Sequence, residues 1–355
     1  MLKRKSIFKI AVFLLSMTAI TLMLIFPDIC KSGVSRGMLI CGNVIIPAIF
    51  PFMVCILLII KTELSVKNKF FSKILYVVFG QNFDLFKVFV FSMIGGYPIG
   101  AKLINELYSQ GKIDLKTANI MQMYCVNAGP AFIISAIGNG IFKSTTIGII
   151  LFAAHISASV LMAVFTRKFM QKNFNNIKID RKNKYTFSEN FVLSTADAAS
   201  SVMCICTYVI LFSVLNSYIV YFFEDIPILK NIIYFTEVTS GVTYTNNVVF
   251  VSFLLGFAGI SIWCQIFSLS DKAKVNFKLF ILGRLLHGSI SSVITLIILK
   301  IFKVAKTTVS NNTLSSSKLF YDNIYLSISL TIMLIVLCIY IYSKNYSRKI
   351  IEDMI

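Results

Sequence analysis

Acidic residues are scarce: 15 Asp and Glu stand against 34 Lys and Arg in 355 residues, with only two histidines, His155 and His287. A general acid–base pair or a zinc site has little to be assembled from. Eight cysteines do not change that, because none forms CxxC and most lie inside apolar runs. Cys204 and Cys206, two apart on a predicted helix, point in different directions. No G-x-S-x-G, H-E-x-x-H, Walker A or dinucleotide fingerprint stands in a plausible context. The chain therefore reads as a non-enzyme that calls for no cofactor and no metal.

Apolar residues fill the space the charges leave. Hydrophobic residues make up 57% of the chain, charged ones 14%, and mean hydropathy is +0.81, a balance no soluble fold of this size presents to water. Runs such as "IFKIAVFLLSMTAITLMLIF" and "NIYLSISLTIMLIVLCIYIY" reach the roughly 20 residues that cross a bilayer as helix. Short alternating β-barrel segments are missing. The formal net charge of +19 does not point to nucleic acid. The basic residues cluster between apolar runs, at 3–5, 61–73, 167–184 and 300–306, as the positive-inside rule expects of cytoplasmic loops meeting anionic lipid. The apolar run after Lys3, Arg4 and Lys5 is too long for a signal peptide and no small-x-small site follows it, so it reads as a retained span.

The expected fold is an all-α polytopic membrane protein with full spans near 7–27, 38–60, 115–138, 146–166, 195–222, 275–300 and 322–343. Two apolar but interrupted segments, 85–110 and 246–271, each follow a short helix ending in glycine, at 73–80 and 232–241. Gly80 and Gly241 are 161 residues apart, and the same offset matches Val88 to Val249, Gly95 to Gly256 and Ile99 to Ile260. With the N-terminus cytoplasmic and each broken segment returning to its own side, the two halves run in opposite directions. That is an inverted-topology, transporter-like repeat with two re-entrant hairpins. In "FSMIGGYPIGAKLINELYSQGK", the glycines and Pro98 of "GGYPIG" supply the turn. Unwound backbone at that depth requires protein or a water-filled cavity around it.

Polar residues after the break are the candidate site. Lys102 and Glu106 are spaced to pair at i,i+4, with Asn105 between them, or Lys102 holds an anionic group. Asp114 reads as an N-cap; "NAGP" at 127–130 makes a second break beside Asn119 and Gln122. In the other half, Glu237 and Ser240 lie in "TEVTSG", Gly256 and Gly259 at the break, and Gln265 beyond. Arg284 sits deep in an apolar run, either ion-paired to Glu237 or Asp197 or bound to a ligand anion. His155 and His287 read as helix-packing donors. Glu106, Asp197 and Glu237 are the candidate coupling-ion carboxylates.

"GGYPIGAKL", "NAGPAFIISAIGNGIF", "TEVTSG" and "LLGFAGISIWCQ" together resemble the sporulation integral membrane protein family of the YlbJ type. Its members group with proteins carrying the Gate, or nucleoside-recognition, domain. The resemblance covers about residues 40–300 and implies a multi-pass protein of the bacterial cytoplasmic membrane linked to endospore formation. Its implied layout is an N-terminal helix (1–30), one Gate-like repeat (38–169), a basic cytoplasmic loop (170–190), a second repeat (191–343) and a tail (344–355). Carried over by position are Gly96, Tyr97, Pro98, Gly100, Ala101, Lys102, Asn127, Gly129, Pro130, Glu237, Gly241, Gly256, Gly259 and Gln265. Ala128 stands where a hydroxyl is expected and Ala258 where a glycine is usual. The sequence thus points to a secondary transporter for a small polar or anionic solute, driven by a proton or sodium ion. The solute is expected at Gly95, Gly96, Tyr97, Pro98, Gly100, Lys102, Asn105, Asn127, Gly129, Glu237, Gly256, Gly259, Gln265 and Arg284. The alternative is a non-transporting scaffold for spore cortex or envelope assembly.

Overall fold

The structure, a computed structural model, describes residues 2–61, 83–170, 186–223, 225–226, 231–270 and 272–302. The short helix expected at 73–80, the span at 322–343, the tail at 344–355 and most of the loop at 170–190 lie outside them. Among the described residues there is no strand. The helices are α1 (Leu2–Ile25), α2 (Pro27–Ile40), α3 (Ile46–Lys61), α4 (Phe83–Gly95), α5 (Tyr97–Ser109), α6 (Leu115–Tyr124), α7 (Thr145–Thr166) and α8 (Phe187–Phe223). They continue with α9 (Ile233–Thr236), α10 (Val238–Thr243), α11 (Val248–Phe257), α12 (Gly259–Leu269) and α13 (Phe277–Ile301). Wider π-helical turns fill Cys41–Ile45 and Ala131–Ile141.

Four stretches are long and apolar enough to cross a membrane: Thr145–Phe169, Phe187–Phe223, Val248–Leu269 and Phe277–Ile301. A fifth is the pair Lys9–Ile25 and Pro27–Ile45, bent by 99° where Pro27 starts α2. Three expected spans are therefore redrawn. The run at 7–27 ends at this bend. That at 38–60 divides at the π-turn, and α3 is only 16 residues long. The run at 115–138 stops after ten residues of α6, because "NAGP" interrupts it before the π-helical stretch. By contrast, α8 begins earlier than the expected 195. Thr186 and Glu189 form a capping box, the Glu189 carboxylate accepting from the Thr186 amide (2.6 Å) and the Thr186 hydroxyl from the Glu189 amide (3.3 Å).

Polar caps set the other helix starts. Asp114 accepts from the Thr117 amide (2.9 Å), as expected, while Asn247 and Asn276 start α11 and α13 the same way. A literal G-x-S-x-G at residues 33–37 falls in mid-helix. Gly33 and Gly37 face the backbone of Val214 and Ile210 on α8, so they allow close helix packing and not a nucleophile turn.

The first interrupted segment folds back on itself. Gly96 has φ +86°, a conformation glycine adopts without strain, and Pro98 opens α5. A β-carbon on Gly100 would sit 2.9 Å from Cβ of Ser92, whereas eight residues of continuous helix span about 12 Å. The second segment differs: Val248–Leu269 is a single crossing-length run of 22 residues, broken at Ala258 (φ +71°) and Gly259 (φ +66°). Ala258 is the non-glycine held left-handed there, at a cost of about 1 kcal/mol. Ala258→Gly should raise the melting temperature of the detergent-solubilised protein by about 2 °C; a fall would mean that the methyl's packing outweighs the strain.

Direction also departs from the expected inverted repeat. The first counterparts, α2–α3 and α8, do run antiparallel: Gly33, Gly37 and Cys41 meet Val214, Ile210 and Cys206 in turn. The later counterparts run parallel. Asn105 Oδ1 accepts the amides of Lys272 (3.2 Å) and Ala273 (2.8 Å), while Tyr97 at the other end of α5 reaches Leu255. Asn119 meets the amide of Asn276 (2.6 Å), and Met123 meets Gly283. The polar turns after α5 and after α12 therefore lie at one end of the bundle.

Candidate functional site

A partly open cleft, with about 600 Å³ of empty space when the open solvent at its mouth is included, lies at the tip of the α4–α5 hairpin. Four groups of residues wall it. Ile94 to Pro98 form the tip, and Gly129 and Phe132 bring the second break against it. The extended Glu237 and, from the start of α10, Thr239 enter at the α9–α10 junction, with Ile262 and Gln265 from α12. The π-turn and α3 (Ile45, Ile49, Phe52) and α8 (Ile205, Val209) close the apolar side. Glycine is what lets these breaks meet: a β-carbon on Gly129 would lie 3.0 Å from the Ile94 carbonyl oxygen, and one on Gly259 3.1 Å from the Val238 nitrogen.

The cleft holds little polar chemistry. Glu237 is 1% exposed and its carboxylate accepts from the Thr239 amide (2.9 Å). Gln265 is 2% exposed, and its amide nitrogen has no hydrogen-bond partner among the described residues. Buried donors left unsatisfied cost about 1–3 kcal/mol each, and among the cleft-lining side chains this nitrogen is one such donor.

Seven of the expected site residues line the cleft: Gly95, Gly96, Tyr97, Pro98, Gly129, Glu237 and Gln265. Gly259 stands behind Glu237. The others serve elsewhere, for identifiable reasons. Gly100 lets α5 approach the Cys125 carbonyl, and Gly256 faces Gly288. Asn105 caps the turn after α12. Lys102 turns to Asp197 (3.9 Å), which Lys61 holds at 2.8 Å, and Glu106 accepts from Gln110 (2.9 Å).

Among the described residues Arg284 makes no ion pair with Glu237 or Asp197. It is 0% exposed, and its guanidinium donates to the carbonyls of Met123, Val126 and Gly256. Helix breaks free those carbonyls, and in an apolar interior each needs a donor. The other carbonyls at the end of α11 are met likewise, Leu255 by the Tyr97 hydroxyl (2.7 Å) and Phe257 by the Trp263 indole (2.8 Å).

Asn127 works on the second break, donating to the Tyr124 carbonyl (2.8 Å) and Ser92 (3.2 Å) while accepting from Ser159. His287 lies 3.1 Å from the His155 carbonyl and acts there as a packing donor. His155 does the opposite, its Nε2 accepting the Ala128 amide (3.1 Å). Thr239, Phe52, Phe132, Ile205 and Val209 in the wall were not foreseen. Only Thr239 had a signal, being two residues from Glu237.

No family model matches the chain, and no solved structure matches it. The chain is similar to the sporulation integral membrane protein YlbJ of Bacillus subtilis (strain 168), at 25% identity over 263 residues. The match covers 60% of this chain and 63% of that protein, so it spans just under two thirds of the relative. With the apolar helices, it supports a membrane protein akin to the sporulation integral membrane proteins.

Proposed function

We propose that this chain is a secondary transporter of a bacterial cytoplasmic membrane, acting in endospore formation, that carries a small polar or anionic solute in the cleft at the hairpin tip. The link to sporulation comes from the name of the Bacillus subtilis relative. The observation that carries transport is the convergence of three backbone breaks, at Gly96, Gly129 and Glu237, on one cleft holding the unpartnered amide of Gln265. A packed scaffold has no need of unwound backbone at an open cavity, whereas a carrier uses it to reach solute. α4 is 13 residues long, about 20 Å, so in this reading it enters and α5 returns without crossing. The end of the bundle bearing Lys61, Lys102, Lys112, Lys272 and Lys274 faces the cytoplasm, with the N-terminus on that side.

The test is a solute panel of nucleosides, nucleobases, amino acids and carboxylates, scored by thermal stabilisation of purified protein and then by uptake into proteoliposomes. A stabilising solute should be taken up, and Gln265→Leu should weaken it at least about tenfold, the loss of one buried hydrogen bond of about 1.4 kcal/mol. If no solute stabilises the protein, the scaffold reading replaces this one.

A further inference from the structure

We infer that the cleft takes an amphipathic monocarboxylate, its carboxylate lodged between the starts of α5 and of the π-helical stretch Ala131–Ile141 and its apolar body against α3 and α8. This rests on the transporter reading and names the substrate class within it. Both starts open on the cleft, one through Gly96, Tyr97 and Pro98, the other through Gly129, Ala131 and Phe132. They also abut, since a β-carbon on Gly129 would lie 3.3 Å from the Gly96 nitrogen. The two helices are 13 and 11 residues long, and no side chain caps either start. Among the described residues, the amides of Tyr97, Gly129 and Ala131 donate to no backbone carbonyl.

A helix start carries about half a positive charge, so two side by side amount to roughly one, and their amides are ready donors to an anion. No Lys or Arg lines the cleft among the described residues, so these starts are its source of positive potential. A separate side chain points to the same chemistry. Gln265, 2% exposed, lines the cleft with its amide nitrogen unpartnered among the described residues, and that group can only donate. The third start in the wall, that of α10, shows the pairing already made: the Glu237 carboxylate accepts from the Thr239 amide (2.9 Å).

Glu237 also sets the charge limit. One carboxylate already shares the cleft, so a dianion meets repulsion that two half-charges do not offset. The rest of the wall selects the body of the solute. Ile45, Ile49 and Phe52, with Ile205 and Val209, offer apolar surface without hydrogen-bonding side chains, which favours a hydrocarbon or aromatic body over a hydrophilic one.

The probes are phenylacetate with phenylacetamide, and 4-methylpentanoate with 4-methylpentanamide, each pair matched in size and shape and differing by one charge at neutral pH. Full-length protein in detergent is melted with each at equal sodium concentration. Each carboxylate should raise the melting temperature by at least about 2 °C and act at a concentration at least about tenfold below that of its amide, the worth of about 1.4 kcal/mol. Succinate and inorganic phosphate should give no shift. Gln265→Glu, which sets a second carboxylate beside the helix starts, should remove the shift from both acids. Should that variant fail to fold, the wild-type pairs decide alone. The inference is overturned if either amide matches its acid, if succinate or phosphate stabilises as well as phenylacetate, if neither acid stabilises, or if folded Gln265→Glu keeps the full response. A neutral solute that stabilises the wild type and is taken up in that case leaves the transporter reading standing, whereas stabilisation by nothing removes both.

Discussion

Gly100→Ala is expected to leave almost no folded protein in the membrane fraction. The added β-carbon would lie 1.8 Å from the Cys125 carbonyl oxygen, and 2.9 Å from both the Cys125 carbonyl carbon and Ser92 Cβ. Two of those are backbone atoms, which no rotamer change can move aside. α5 would have to leave α4 and α6 together, opening the hairpin, at a cost above about 3 kcal/mol. Heating detergent-solubilised samples and counting what stays monodisperse by size-exclusion chromatography measures this directly. Gly111→Ala is the comparison: its β-carbon meets nothing within 4 Å, though φ is +67°, so only backbone strain of about 1 kcal/mol should show. Equal behaviour of the two variants would refute the tight hairpin.

Arg284→Met should be the next most damaging change. Methionine fills much of the same volume but donates no hydrogen bond, so the carbonyls of Met123 and Val126 are left facing an apolar interior. At roughly 1–3 kcal/mol for each buried orphan, the loss is about 2–6 kcal/mol. Lysine at this position can reach one carbonyl but not the fork of three, and should lie between. The decisive comparison sets melting temperature beside solute binding. Wild-type melting with lost binding would return Arg284 to the ligand, while lower melting with solute affinity retained in the folded fraction agrees with its place on the carbonyls.

Helix identity was legible because apolar length and polar caps are local properties. α7 and α13 fall within about two residues of their expected bounds, and Asp114 caps as its position before α6 suggests. The hairpin tip was legible too, since two glycines and a proline have few other uses inside an apolar run. Direction was not. The 161-residue offset relates α5 to α12 and α6 to α13, but similarity of elements carries no sign, and Asn105 and Asn119 show those pairs running parallel. Arg284 was misjudged for another reason. A sequence displays its carboxylates but not its unsatisfied carbonyls, so a buried cation invites an ion pair when its partner is backbone freed by breaks in two other helices.

The two asparagines on α5 and α6, Asn105 and Asn119, have a mechanical consequence. Asn105 holds the backbone at 272–273 and Asn119 holds it at 276, each through a bond to the main chain, while Arg284 ties α6 and α11 to α13. Four helices are thereby riveted into one slab, hairpin return arm included. α3 and α8 form the facing panel, joined to each other by Lys61 and Asp197 and to the slab at the 3.9 Å approach of Lys102. That approach ties the panel to the return arm of the hairpin itself, since Lys102 lies within α5.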